Sequence, residues 1–153
     1  MIQRIQSLYL LLATVLVALT NFFALAHFKV DEGFYTLSAF GIEASGVETW
    51  SGGVWYLLLP LVNVLTIALL LAALFGYKKR IKQMRRCIYA ILTNILFYLA
   101  FGFVCWKVYG VTGVYPDLAL MAEMPLIAII LIFLAGRAIK RDEDLVRSMD
   151  RIR

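Results

Sequence analysis

"VWYLLLPLVNVLTIALLLAALF", residues 54–75, runs without a charge into "GYKKRIKQMRRC", residues 76–87. The chain then turns apolar again as "IYAILTNILFYLAFGFVCW", residues 88–106. A bilayer core is crossed by about 20 apolar residues of helix, and each flanking run supplies them. The segment between them carries Lys78, Lys79, Arg80, Lys82, Arg85 and Arg86 with no acid among them. Read alone, such a run suggests a nucleic-acid patch. Here it lacks the interleaved aromatics of a stacking platform and is tethered at both ends to apolar helix. It reads as the charged turn of a membrane hairpin, and nucleic acid is excluded as a partner.

The rest of the chain agrees. Of 153 residues, 63% are hydrophobic and 16% charged. A soluble domain has about 45–50% and about 25%. Four segments are long and apolar enough to span, at about 5–26, 54–75, 87–106 and 118–136. This predicts an all-α integral membrane protein, a four-transmembrane-helix bundle forming one membrane domain over 1–153. The "ALA" before His27 has the small-x-small form of a signal cleavage site. The apolar run ahead of it exceeds the about 7–15 residues of a signal core, so it is expected to stay as a span.

Charge sets the expected orientation. All but Lys29 and Lys107 of the 15 Lys and Arg lie in the N-terminus, the inner loop 76–86 or the tail 137–153. Short cytoplasmic loops carry the excess of Lys and Arg, so both termini are expected in the cytoplasm. Trp50, Trp55 and Trp106 fall toward the opposite side, where tryptophan favours the membrane–water boundary. The basic loop and tail, with Lys78, Lys79, Arg80, Lys82, Arg85, Arg86, Arg147 and Arg151, are the expected contacts to anionic lipid or to a partner protein.

The outer loop 27–53 is the sizeable extramembrane segment on its face. "FYTLSAFGI" is rich in β-formers, and "EASGVETW" is expected to return as a partner strand after Gly46, giving a small extracytoplasmic β-hairpin. A lone hairpin is marginal in water, so it should pack on the helix ends, with Phe34, Tyr35 and Phe40 as candidate packing residues. In the tail, Ile139, Leu145, Val146, Met149 and Ile152 recur at helical spacing. Glu143 with Arg147 and Asp150 with Arg153 are spaced as helix pairs. The tail is therefore an amphipathic cytoplasmic helix continuing from the fourth span. Its acids, Asp142, Glu143 and Asp144, are positioned to meet the basic loop.

Within the bilayer, Ala68, Ala72 and Gly76 form a small-residue stripe suited to close helix approach. Thr66 and Asn94 reach similar depth, and a hydrogen bond between them is expected to hold spans two and three together. Cys87 and Cys105 are separated by about 27 Å of helix, too far for a mutual disulfide. The sequence has no C-x-x-C, no phosphate-cradling glycine loop and no G-x-S-x-G, and its one histidine lacks metal-ligand company. No catalytic residue, cofactor or metal is expected. Glu123 is the one acid inside an expected span, so it is the candidate ion or proton site. It also lies near enough to Asp117 to reach the outer interface.

"MIQRIQSLYLLL", "FYTLSAFGI", "YKKRIKQMRRCI" and "RAIKRDEDLVRSMDRIR" together resemble a family of small four-span inner-membrane proteins from Bacteroidetes-type bacteria, catalogued as a domain of unknown function. The resemblance covers essentially the whole chain. It implies four helices and a bacterial inner membrane, and no activity. "TWSGGVW" before span two is similar to the claudin-type arrangement in topology alone, because the two loop cysteines of that pattern are missing. The expectation is a non-enzymatic accessory or scaffold subunit presenting a basic face. The alternative is a small oligomeric transporter or channel using Glu123.

Overall fold

The buried positions of each helix recur three and four residues apart. They are Gln6, Leu10, Ala13 and Val17 on the first helix, and Asn63, Thr66, Leu70 and Ala73 on the second. On the third they are Gln83, Cys87, Ala90, Asn94, Phe97 and Phe101, and on the fourth Ala128, Ile132, Ala135, Ile139 and Asp142. Stripes of this spacing pack nearly aligned helices into a bundle. The computed structural model describes residues 2–30, 33–46, 54–76 and 80–150, apart from the side chains of 2–4, 147, 149 and 150. The helices are α1 (Ile2–Leu19), α2 (Leu58–Phe75), α3 (Arg80–Thr112) and α4 (Met124–Asp150). Each packs on two others, α1 and α3 both lying against α2 and α4.

Among the described residues, three stretches are long and apolar enough to cross a membrane: Trp55–Phe75, Arg80–Thr112 and Leu120–Val146. α1 is apolar but shorter, its apolar part being Ile5–Leu19. It stops short of the expected 26 because Thr20 and Asn21 interrupt the run. Thr20 returns its hydroxyl to the Val17 carbonyl at 2.7 Å, and the Asn21 and Phe22 amides close turns onto Ala18 and Leu19. α3 begins earlier than expected. Residues 80–86, read as loop, are its first two turns. Its far end is set by Gly113, whose φ of +67° takes the left-handed cap and whose amide bonds Tyr109 at 2.8 Å. The expected amphipathic tail is the unbroken end of α4.

A four-stranded antiparallel sheet closes one end, in the order β3-β2-β1-β4. Its strands are β1 (Ala24–Val30), β2 (Gly33–Ser38), β3 (Ile42–Ser45) and β4 (Asp117–Leu118). The expected hairpin is present as β2 and β3, with Leu37 opposite Ile42 and Phe34 opposite Ser45. The turn lies inside "FYTLSAFGI", where Ser38 bonds Gly41 through both its amide and its hydroxyl. The return strand therefore precedes Gly46; the expected return over 47–50 lies outside the described residues. β1 takes residues that hydropathy assigns to the first span, because Leu25, Ala26 and Phe28 are buried against the helix ends. Tyr35 packs there too, while Phe34 and Phe40 are exposed.

A Cβ at Gly33 would fall on the Ser45 carbonyl oxygen and lie 3.0 Å from the Gly46 carbonyl carbon. Gly33→Ala is therefore expected to cost about 1–2 kcal/mol by prising β3 from β2. Thermal unfolding of the full chain in detergent checks this, together with proteolysis near residue 46.

The core falls into two apolar clusters. One, at the sheet end, joins Leu25, Phe28 and Leu37 to Leu59, Phe97, Phe101 and Val108. The other, toward the opposite end, joins Leu10, Val17, Leu70, Ile132 and Ile139 through Ala13, Ala73, Ala90, Ala128 and Ala135. Close helix approach rests on these alanines. Of the stripe expected to do this, Ala68 and Ala72 are exposed, while Gly76 is half-buried.

Candidate functional site at the basic end

The end remote from the sheet gathers the start of α1, the end of α2, the start of α3 and the last turns of α4. Gln6 on α1 and Asp142 on α4 continue the buried stripes of their helices outward, and they meet. Gln6 Nε2 donates to Asp142 Oδ2 at 2.6 Å, with the two residues 5% and 8% exposed. Arg80 reaches the same residue from α3, but at its backbone, donating to the Asp142 carbonyl oxygen at 3.1 Å. Arg80 of the basic segment thus meets the backbone of Asp142, while Gln6 holds its carboxylate. Gln83, the first rung of the α3 stripe, is also buried.

Arg86 also has a structural task. It donates to the Ala72 carbonyl oxygen, one of the last carbonyls of α2, and lies over Gly76. A helix end leaves its final carbonyls without intrahelical donors, and a cation there also complements the helix dipole. Arg80 and Arg86 are therefore committed to joining helices. Lys82 and Arg85 face outward on the same two turns, and Arg137, Lys140 and Arg141 are exposed on α4. Lys78, Lys79 and Arg151 lie outside the described residues, as does the side chain of Arg147. The expected pairs of Glu143 with Arg147 and Asp150 with Arg153 fall there too. Leu145 and Val146 are exposed on the last turns of α4.

Between the two apolar clusters lies a polar layer. Asn63 Nδ2 donates to Thr20 Oγ1 at 2.9 Å and to Asn21 Oδ1 at 3.1 Å, tying α2 to the end of α1. Thr66 donates to Thr93 Oγ1 at 2.9 Å, tying α2 to α3. The expected partner of Thr66 was Asn94, one residue further on. The depth is right, but successive helix residues point about 100° apart, so Thr93 faces Thr66 and Asn94 faces inward. Neither carboxamide atom of Asn94 has a protein partner in the structure, and Asn63 Oδ1 also lacks one.

Glu123 is not in this interior. It ends a 3-10 turn, Leu120–Glu123, at the sheet end and is exposed. The turn is pinned by Tyr98, whose hydroxyl donates to the Ala122 carbonyl oxygen at 2.9 Å. Pro125 follows in the first turn of α4, where a missing N–H costs little. The two cations of the sheet end are both engaged. Lys29 pairs with Asp117 at 3.1 Å, an exposed bridge of small energetic weight. Lys107 lies 5.5–5.7 Å from the rings of Trp55, Phe103 and Trp106. Among the described residues no group of three or more His, Cys, Asp or Glu side chains could hold a metal ion.

The sequence reading did not find Gln6, Gln83 or the interior role of Asp142. The signal was present in the phase of each helix: Gln6 stands four, seven and eleven residues before Leu10, Ala13 and Val17.

Among the described residues, three helices long and apolar enough to cross a bilayer are bundled with a fourth apolar helix beneath a small sheet, an arrangement compatible with a helical membrane protein. The chain belongs to the DUF4293 family, a domain of unknown function, whose profile matches residues 2–152. No curated protein matches it.

Proposed function

We propose that the chain is a non-enzymatic accessory or scaffold subunit of a bacterial inner membrane. It crosses four times, keeps both termini in the cytoplasm, and presents its basic end to anionic lipid and to a partner protein. The observation that carries this reading is the exposed set Lys82, Arg85, Arg137, Lys140 and Arg141 at one end of a bundle whose other end carries Lys29 and Lys107. That segregation fits the positive-inside rule. Trp55 and Trp106, exposed beside Lys107, fit an interfacial aromatic belt at the opposite boundary. α3, with 33 residues, is about 50 Å long against a core of about 30 Å, so its basic first turns stand clear of the hydrocarbon. α1, with 18 residues, reaches about 27 Å, slightly short of that core, so in this reading it crosses where the bilayer thins locally.

Purification in mild detergent after crosslinking in cells tests the scaffold role. A stoichiometric membrane partner is expected, lost when Lys82 and Arg85 are both changed to Gln. A chain that emerges alone both with and without crosslinking sinks the partner reading. The transporter alternative placed its polar centre at Glu123, and an exposed residue of an end turn is poorly suited to that task. Glu123→Gln is expected to change stability by no more than about 0.5 kcal/mol, read by thermal unfolding. It should also leave any cation or proton flux in proteoliposomes unaltered.

A further inference from the structure

Between α3 and α4 near the basic end runs a groove of about 330 Å³. It is walled by Ile88 and Ile91 on α3 and by Ile132 and Phe133 on α4, and Arg137 and Lys140 line it toward the basic end. Phe133, Arg137 and Lys140 stand four and three residues apart, so they form one row along α4. The row passes from apolar to basic in the direction of the helix end. Gly136 makes the hollow: a Cβ there would have Cys87 Cβ as its nearest neighbour, at 3.9 Å. A Cβ is therefore accommodated, and a longer side chain would take up space in the groove.

We infer that this groove is a binding site for an anionic phospholipid, its phosphate held by Arg137 and Lys140 and one acyl chain lying along Ile91, Ile132 and Phe133. The inference rests on the reading of α3 and α4 as membrane spans. Any groove on a span meets some acyl chain. The basic pair lining it adds the choice of headgroup, as in basic pockets between helices near a cytoplasmic surface. No acid lines the groove. Arg137 also borders a second groove of about 480 Å³ between α1 and α4, beside Tyr9 and Arg141. Lys140 belongs to the first groove alone, which lets the two be told apart.

The test is native mass spectrometry of the full chain released from nanodiscs of equimolar phosphatidylcholine and phosphatidylglycerol with identical chains. The wild type is expected to retain phosphatidylglycerol in preference. Each of Arg137→Gln and Lys140→Gln should weaken that preference about fivefold. Gly136→Leu, which keeps every charge, should abolish the retained lipid, and Arg141→Gln should leave it in place. Excess glycerol phosphate should not displace it, which separates a seated lipid from a phosphate-binding surface. A wild type that enters the discs yet shows no headgroup preference overturns the site and leaves the membrane reading standing. A preference left undiminished by Gly136→Leu or by Lys140→Gln also overturns it, and so does a co-purified polypeptide occupying the groove. A chain that stays out of the discs overturns both.

Discussion

Asp142→Ala is expected to be the most damaging single substitution at the basic end. It removes the acceptor of the buried Gln6 hydrogen bond and strands the Gln6 amide among Leu10 and its neighbours. A hydrogen bond to a charged group contributes about 1.5–3 kcal/mol, and leaving its buried partner unpaired adds to the loss. The expected cost is about 2–3 kcal/mol, or a fall of about 4–12 °C in the thermal midpoint at this chain length. Asp142→Asn keeps an acceptor and should lose about half as much. Arg80 binds the backbone of Asp142, so its contact should survive both changes. Gln6→Leu combined with Asp142→Ala supplies the control, since the pair removed together leaves no unpaired amide. The double variant is expected to be no less stable than Asp142→Ala alone. A double loss equal to the sum of the singles would show that Gln6 and Asp142 stabilise the bundle independently.

The second large effect is a contrast inside the polar layer. Asn63→Leu removes the donor that ties α2 to Thr20 and Asn21, and it orphans the Asn21 carboxamide. Hydrogen bonds between membrane helices contribute about 0.6–2 kcal/mol each, so a loss of about 2 kcal/mol is expected. Asn94→Leu, similar in shape and equally buried, breaks no protein hydrogen bond, because neither carboxamide atom has a partner. Burying an unpaired amide is costly, so this substitution is expected to hold or raise stability. Thermal unfolding of both variants in one detergent, followed by tryptophan fluorescence, gives the comparison. Equal losses at the two positions would contradict the account and make Asn94 a bonded member of the layer.

The helices were legible because hydropathy and length decide them. The span at 54–75 contains α2, the span at 87–106 stands at the centre of α3, and the tail's helical phase continues α4. The sheet was half legible. β2 and β3 carry the β-branched and aromatic residues that mark strands, so a hairpin was readable. β1 was not, because "ALAHF" is apolar on both sides and merges with the helix before it. β4 spans two residues, too few for any periodicity. At the basic end, composition located the charges but not their tasks. Arg80 and Arg86 differ from Lys82 and Arg85 only in helix phase, which was invisible while residues 80–86 were read as loop. The small-residue stripe failed for a related reason. Spacing picks out Ala68, Ala72 and Gly76, but burial follows the phase of Asn63, Thr66, Leu70 and Ala73.

The central claim is a chain that crosses four times, with its basic end in the cytoplasm. It is tested most directly by labelling single cysteines with a membrane-impermeant maleimide in intact spheroplasts and after lysis. The background carries Cys87→Ser and Cys105→Ser, and the labelled positions are Ser45→Cys, Ser148→Cys and a cysteine placed before Met1. The account predicts labelling at Ser45→Cys in intact spheroplasts, and at the other two positions only after lysis. A cysteine before Met1 that labels together with Ser45→Cys would show that α1 does not cross, and it would contradict the four-span account.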